Sequence, residues 1–231
     1  MNILCSICMR GGSKGVKNKN FKKINNKYLF EYTLEKVKKI KKITNYIIST
    51  DSEDIIKILK KQKEKNWYLR KSSLSRDSSP KIPVIRDALL VAEKKYEKKF
   101  EIIIDLDVTS PLRTINDIRN CINYFINIKK GNLISVTKSK KNPYFNMIEL
   151  NVKTKKIKLV KNNGKFYTRQ NAPKVYDLNA SIYIWDKNTL LKNNSVINNK
   201  TVIYEMPEER SIDIDSKLDF KIVKSLLTKD K

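Results

Sequence analysis

Ile3-Leu4-Cys5-Ser6-Ile7-Cys8-Met9 runs directly into Arg10-Gly11-Gly12-Ser13-Lys14-Gly15-Val16-Lys17-Asn18-Lys19-Asn20. The first stretch is an almost unbroken apolar run, the pattern of a strand buried on both faces, as in the middle of a parallel sheet. The second holds three of the five glycines in the whole chain, interleaved with basic residues. In an open α/β sheet, ligands lie beyond the carboxyl ends of the strands. Glycines there let backbone N–H groups approach phosphate oxygens, and Arg and Lys add charge. The loop has neither the G-x-x-x-x-G-K-[ST] spacing of a P-loop nor G-x-G-x-x-G.

Outward from this strand the chain alternates. Phe30, Leu34, Val37 and Ile40 recur at helical spacing. Tyr46–Ser49 reads as a strand, ending at Asp51 ahead of a helix over about 53–64, and 66–69 as a short third strand. Ile85, Ala88, Leu89, Ala92 and Tyr96 mark a helix with Pro83 in its opening turn. Ile102–Leu106 is again an apolar run, broken only by Asp105, followed by a helix from Asp117 and a strand over 133–136. Strands alternating with helices predict right-handed crossovers and a three-layer α/β sandwich with a mostly parallel sheet.

The middle of the chain breaks the rhythm. Residues 146–150, 156–160 and 165–168 read as antiparallel strands around the turn Asn162-Asn163-Gly164, a small β excursion within about 140–175. Strands at 180–185 and 202–204 and a helix carrying Leu218, Ile222, Val223 and Leu226 complete the expected order. Nothing resembles an interdomain linker, so residues 1–231 are expected to form one domain.

Composition narrows the chemistry. A 40% hydrophobic and 32% charged chain of 231 residues is globular, and no apolar run approaches the ~20 residues of a bilayer span. A soluble cytoplasmic protein without membrane contact is the expectation. The net charge of +26 raises the possibility of nucleic acid. However, Lys is spread over nearly every segment alongside many Asn and Ile, which reads as solvated surface. Cys5 and Cys8 form a C-x-x-C on a strand, where residues three apart face opposite sides, so they do not make a dithiol site. The chain has no histidine, which excludes Ser-His-Asp catalysis and His-metal centres. Arg is scarce, and Arg10, Arg70, Arg113 and Arg169 all fall in motif-like stretches.

Two later stretches stand out. The first, Tyr167-Thr168-Arg169-Gln170-Asn171-Ala172-Pro173, pairs a rare Arg with polar neighbours and leads on to Asn179 and Tyr183. In Ser211-Ile212-Asp213-Ile214-Asp215, two carboxylates two residues apart on a strand would share one face. Such a pair suits Mg²⁺, which takes one or two carboxylates together with phosphates and waters. Asp219 opens the last helix, where its charge favours the N-terminal dipole.

With these stretches in view, the chain resembles the acylneuraminate cytidylyltransferases, the CMP-sialic acid synthetase-like enzymes. The likeness rests on the first loop, on Arg70-Lys71-Ser72-Ser73-Leu74-Ser75-Arg76-Asp77-Ser78, on Asp105-Leu106-Asp107-Val108-Thr109-Ser110-Pro111-Leu112-Arg113, and on the last two stretches. It covers nearly the whole chain, with the motifs in family order. Asp107-Val108-Thr109-Ser110-Pro111-Leu112-Arg113, Asn142-Pro143-Tyr144-Phe145-Asn146 and Ala172-Pro173-Lys174-Val175-Tyr176-Asp177 point to the CMP-legionaminic acid synthetase branch.

The resemblance implies a Rossmann-like nucleotidyltransferase fold and the joining of CTP to an acidic nine-carbon sugar with release of pyrophosphate. Arg10, Gly11, Ser13, Lys14, Lys19, Asn20 and Arg70 would bind CTP, with Arg10, Lys14 and Lys19 as the catalytic charges. Asp107, Arg169, Asn179 and Tyr183 would bind the sugar, and Asp213 and Asp215 the Mg²⁺. Asp107 stands where many relatives have Gln, and Lys81 where sialic-acid enzymes usually carry a small hydroxyl residue; Asp107 either accepts from amide N–H groups of the sugar or pairs with Lys81 or another base without meeting it. The family usually dimerises through the β excursion, so a homodimer is expected. The competing readings are another sugar nucleotidyltransferase, such as a CTP:Kdo enzyme, and a non-catalytic RNA-binding protein. The latter requires exposed aromatics along a basic stripe, whereas the aromatics here fall at core periodicities.

Overall fold

The computed structural model describes residues 1–12, 16, 19–128, 131–162, 166, 168 and 170–229. It opens with β1 (Ile3–Met9), the small strands β2 (Lys23–Ile24) and β3 (Lys27–Tyr28), and α1 (Leu29–Lys38). Then come β4 (Asn45–Thr50), α2 (Glu53–Lys61), β5 (Trp67–Leu69), α3 (Lys81–Tyr96), β6 (Ile102–Leu106), α4 (Ile115–Ile128) and β7 (Asn132–Lys138). The hairpin β8 (Ile148–Leu150) and β9 (Ile157–Leu159) precedes β10 (Tyr176–Asp186), α5 (Lys187–Lys192), β11 (Thr201–Glu205) and α6 (Lys217–Lys229).

Seven strands form one sheet in the order β11-β7-β10-β6-β1-β4-β5. All neighbours are parallel except β10, which runs antiparallel to both β6 and β7. The sheet is therefore mostly parallel, as the alternating pattern predicts. β1 lies at its centre because its residues are apolar on both faces. Ile3, Cys5, Ile7 and Met9 pack in one layer with Leu34 and Val37 of α1, Ile55 and Leu59 of α2, and Ile118 and Phe125 of α4. Leu4 packs in the opposite layer with Ile82, Ile85, Leu89 and Ala92 of α3 and Trp185 of β10. Each fully buried Leu or Ile contributes ~1.5–3 kcal/mol of transfer free energy. Cys5 and Cys8 fall on opposite layers and both are free thiols.

The helix ends follow local chemistry. Ser52 caps α2, its Oγ accepting from the Ile55 N–H at 3.3 Å. Ser216 and Asp219 cap α6 reciprocally: the Asp219 carboxylate accepts from the Ser216 N–H at 2.6 Å, and Ser216 Oγ accepts from the Asp219 N–H at 3.2 Å. Asp219 thus serves the helix end as its position implies. Pro83 lies in the first turn of α3, with Pro80 as the residue before the helix.

Two strand expectations need correction. Among the described residues of the excursion only 148–150 and 157–159 pair, and the turn between them lies over 151–156. Phe166 and Thr168 lie outside any strand, while Asn163, Gly164, Lys165 and Tyr167 lie outside the described residues. The second correction concerns residues 211–215, which do not join the sheet. They form an irregular segment pinned by the Ile214 N–H donating to the Thr109 carbonyl at 3.0 Å. Ile214 is buried against Val16, Ile24, Leu29 and Val223, so packing, not a ladder, fixes this segment.

One buried contact on the outer side of α1 has a consequence for stability. Lys36 Nζ donates to the Pro111 carbonyl at 2.6 Å, and burial, reinforced by nearby Arg113, pushes its pKa down to about 7. An unfolded lysine stays charged up to about 10.5. Stability linked to Lys36 is thus fully present above that pH and is lost as the pH falls through 7. Lys36→Met is expected to stabilise the fold at pH 7 by about 2 kcal/mol after allowing for the lost bond to Pro111. The gain should shrink towards pH 10. Urea unfolding at the two pH values tests this, and an equal gain at both, or a loss at pH 7, would contradict it.

Candidate active site

The strand order places the site. From β1 the chain moves outward to β4 and β5, then returns to the other side of β1 as β6. The reversal opens a crevice beyond the carboxyl ends of β1 and β6, the usual ligand position in an open α/β sheet. The loops after Met9 and Leu106 both emerge there.

At the exit of β1 the Gly11 N–H donates to Asp51 Oδ1 at 2.8 Å. A Cβ on Gly11 would lie 2.9 Å from that of Ser52, so only glycine permits this approach. Arg10 reaches across to Asp77, Nη1 to Oδ1 at 2.8 Å. Asn20 is buried and donates through Nδ2 to the Arg10 carbonyl at 2.7 Å, with its Oδ1 left without a partner. Ser13 and Lys14, expected to bind CTP, lie outside the described residues.

Arg70, at the exit of β5, is only 4% exposed. Its guanidinium donates to the Met9 carbonyl at 3.2 Å, to Ser49 Oγ at 3.3 Å and to Ser75 Oγ at 3.2 Å. A cavity of about 200 Å³ opens beside it, lined among others by Arg10, Leu74, Lys81, Val84 and Asp107. Its lining mixes apolar side chains, such as Leu74, Val84 and Ile85, with the charged Arg10, Arg76, Lys81 and Asp107.

The floor between β6 and β10 is charged. Lys81, in the first turn of α3, donates to Asp105 Oδ2 at 2.8 Å and Asp107 Oδ2 at 2.7 Å. Burial opposes its charge, but the two carboxylates outweigh it and hold the Lys81 pKa well above its ordinary value. Asp107 is pushed upward by its own burial. Lys81 Nζ also stands 4.4 Å from the centroid of Tyr183, whose ring stacks on Trp185. Burial raises the Tyr183 phenol to about 12. Beneath this floor Arg113 is fully buried, donating to the Ser181 carbonyl at 2.8 Å, Thr33 Oγ1 at 2.6 Å and the Asp107 carbonyl at 2.5 Å. It ties the loop after β6 to α1 and β10.

The acidic segment meets the first loop. Lys19 Nζ donates to the Ile214 carbonyl at 2.6 Å and to Asp215 Oδ1 at 3.0 Å. Asp213 is the more buried carboxylate, and burial raises its pKa to about 6 despite a hydrogen bond from Thr109. Its Oδ1 is buried without a partner.

The crevice thus gathers Arg10, Gly11, Lys19, Asn20, Arg70, Asp107, Asp213 and Asp215, while Tyr183 is buried in the core layer against Trp185 and meets the site through Lys81. Asn179 stands apart. It is buried, and its amide is spent internally: Oδ1 accepts from Ser135 Oγ at 2.7 Å, and Nδ2 donates to Ser211 Oγ at 3.0 Å. A ligand contact would have to break these bonds, so Asn179 holds β10 to β7 and the 211 segment. Arg169 lies outside the described residues. Asp51, just after the end of β4, also belongs to the crevice through its bond from Gly11, and its place after a strand is the signal for it in the sequence.

The description of the family whose model spans residues 4–229 is "Cytidylyltransferase". The chain belongs to the cytidylyltransferase family. The post-translational flagellin modification protein B of Campylobacter coli is 45% identical to this cytidylyltransferase over 226 residues, 97% of this chain and 94% of that one. The CMP-N,N'-diacetyllegionaminic acid synthase of Campylobacter jejuni subsp. jejuni serotype O:2 is 44% identical over 227 residues, 98% and 95% of the two chains. The structure of a CMP:2-keto-3-deoxy-manno-octonic acid synthetase complexed with CTP superposes with a TM-score of 0.72 over 100% of both chains, at 11% identity. That likeness shows a shared fold. Among the described residues of the cytidylyltransferase no helix is long and apolar enough to cross a membrane.

Proposed function

We propose that this cytidylyltransferase joins CTP to an acidic nine-carbon sugar, N,N'-diacetyllegionaminic acid or a close 5,7-diamino relative. The observation that carries the reading is 44% identity over nearly the full length to an enzyme named for that product. The crevice supports it. The 200 Å³ cavity beside Arg70 suits the nucleoside, and Arg10, Lys14, Lys19 and Asn20 lie on the loop that reaches the triphosphate. The anomeric hydroxyl of the sugar forms a new O–P bond at the α-phosphorus, the bond to pyrophosphate breaks, and the hydroxyl proton is lost. Such a transfer needs positioning and charge stabilisation more than a covalent nucleophile. Arg10, Lys14 and Lys19 stabilise charge on the phosphates, and Arg169 clamps the sugar carboxylate.

The acidic segment fits Mg²⁺. A buried carboxylate oxygen without a partner, on a group whose pKa is raised by burial, is a site that a cation would relieve. Among the described residues no three His, Cys, Asp or Glu side chains form a ready-made cage. That suits an ion shared with substrate phosphates and held by Asp213 and Asp215. When bound, the ion supplies positive charge to the phosphates. The protein is proposed to work in the cytoplasm as a homodimer. Ile148, Leu150, Val152 and Ile157 on and beside the β8–β9 hairpin are 56–73% exposed, an apolar surface suited to a second copy.

Asp107 bears on the choice of sugar. Its bond to Lys81 uses Oδ2, and a carboxylate has lone pairs to spare for a second donor. An amide N–H on the sugar would be such a donor, and a site that hydrogen-bonds a substituent discriminates against analogues lacking it. In a pyrophosphate-release assay with saturating CTP, kcat/KM for N,N'-diacetyllegionaminic acid is expected to exceed that for N-acetylneuraminic acid by ~10-fold or more. Equal values, or the reverse order, would overturn the legionaminic assignment. Turnover of 3-deoxy-manno-octulosonic acid alone would favour the Kdo-type reading.

A further inference from the structure

We infer that Tyr68 is a positioning residue for nucleotide binding, holding Arg70 in place through Ser49 and drawing on the charge of Asp87. The inference rests on the proposed contact of Arg70 with the nucleotide. Four side chains from four parts of the fold form one line. Arg70 Nη1 donates to Ser49 Oγ at 3.3 Å, Ser49 Oγ donates to Tyr68 Oη at 2.9 Å, and Tyr68 Oη donates to Asp87 Oδ2 at 2.7 Å. Ser49 is on β4, Tyr68 on β5, Asp87 on α3, and Arg70 just after β5.

The direction of donation is fixed by the two ends. A guanidinium can only donate and an ionised carboxylate can only accept, so each hydroxyl between them accepts once and donates once. Ser49 is fully buried and cannot turn to water if its acceptor is lost. Without the Tyr68 hydroxyl, Ser49 must aim its proton elsewhere, and its lone pairs leave Arg70 Nη1. Arg70 is nearly buried and its nearest carboxylate, Asp51, stands 3.8 Å away. The line through Tyr68 therefore brings a second carboxylate to bear on the same cation, and polarised hydroxyls strengthen each bond in such a chain. Arg70 also borders the cavity with Val84 and Ile85 of α3, three and two residues before Asp87. One helix thus supplies both a wall of the cavity and the anchor of the residue facing it.

Tyr68→Phe and Ser49→Ala test the chain, with CTP affinity read by isothermal titration. Each is expected to weaken CTP binding by ~10-fold while kcat at saturating CTP stays within about twofold. The double variant is expected to be no weaker than either single, because both break the same line. Melting temperature checks folding, and Ser49→Ala carries the test should Tyr68→Phe fail to fold. Wild-type affinity in the single variants, with affinity lost in Arg70→Ala, would overturn the chain and leave Arg70 as a nucleotide contact. Wild-type affinity in Arg70→Ala would overturn it one step earlier, at the contact itself. A double variant weaker by the product of the two singles would show independent roles and also overturn it.

Discussion

Arg70→Ala is expected to lower kcat/KM for CTP by at least ~100-fold, about 2.7 kcal/mol of transition-state stabilisation. The size follows from burial. The guanidinium is 4% exposed and bonded to Met9, Ser49 and Ser75, so its removal strips three partners of a charged donor at once. The Met9 carbonyl ends β1, so the same change frees the start of the glycine-rich loop. Arg70→Lys should recover only part of the loss, since an ammonium cannot span three divergent acceptors in one plane. Steady-state kinetics with varied CTP checks this. Activity above half of wild type in Arg70→Ala would remove the residue from the site.

Asp213→Asn is expected to have a comparable effect on activity, with a second signature in stability. At about 6, the folded-state pKa of Asp213 lies above the usual carboxylate value near 3.8. Its contribution to stability is therefore full below pH 4 and is lost as the pH rises through 6, by up to ~3 kcal/mol at pH 7. Binding of a divalent cation would restore that loss. Added Mg²⁺ should thus raise the melting temperature of the wild type at pH 7 and leave Asp213→Asn almost unchanged. The variant's kcat/KM at 1 mM Mg²⁺ should fall by ~100-fold. A variant that keeps both full activity and the Mg²⁺-dependent melting shift would show that Asp213 does not hold the ion.

The scaffold was legible because burial on two faces leaves an unmistakable mark. Ile3–Met9 and Ile102–Leu106 are nearly continuous apolar runs, and they are neighbouring parallel strands at the centre of the sheet with the boundaries their composition implies. The segment 211–215 also alternates Ile and Asp, and the same rule misread it as a strand. Alternation reports only that one side is covered: here Ile214 is buried by α1, α6 and the short strands, with no neighbouring ladder. Asn179 shows a related limit. A polar residue near the end of a strand can face a crevice or a buried partner, and β10 shifts register between Leu178 and Tyr183, turning it inward. The pairing of Lys81 with Asp105 and Asp107 joins residues far apart in sequence, so no local spacing announces it. Tyr68 and Asp87 read locally as an ordinary aromatic on a strand and an ordinary acid on a helix.

The one reversed strand also governs how the chain is assembled as it leaves the ribosome. β5, β4, β1 and β6 are complete by residue 106, and β7 by residue 138, but β10, which must lie between β6 and β7, begins only at Tyr176. Until then β6 presents an open edge of Ile102, Ile103, Ile104 and Leu106 interrupted only by Asp105, and β7 has no neighbour to pair with. Such an edge is a template for strands of other chains. Closure must wait for a non-local pairing, which is slow to find. A nascent chain paused between residues 140 and 175 would be the species most in need of a chaperone, and a polypeptide ending there would aggregate instead of folding into half an enzyme.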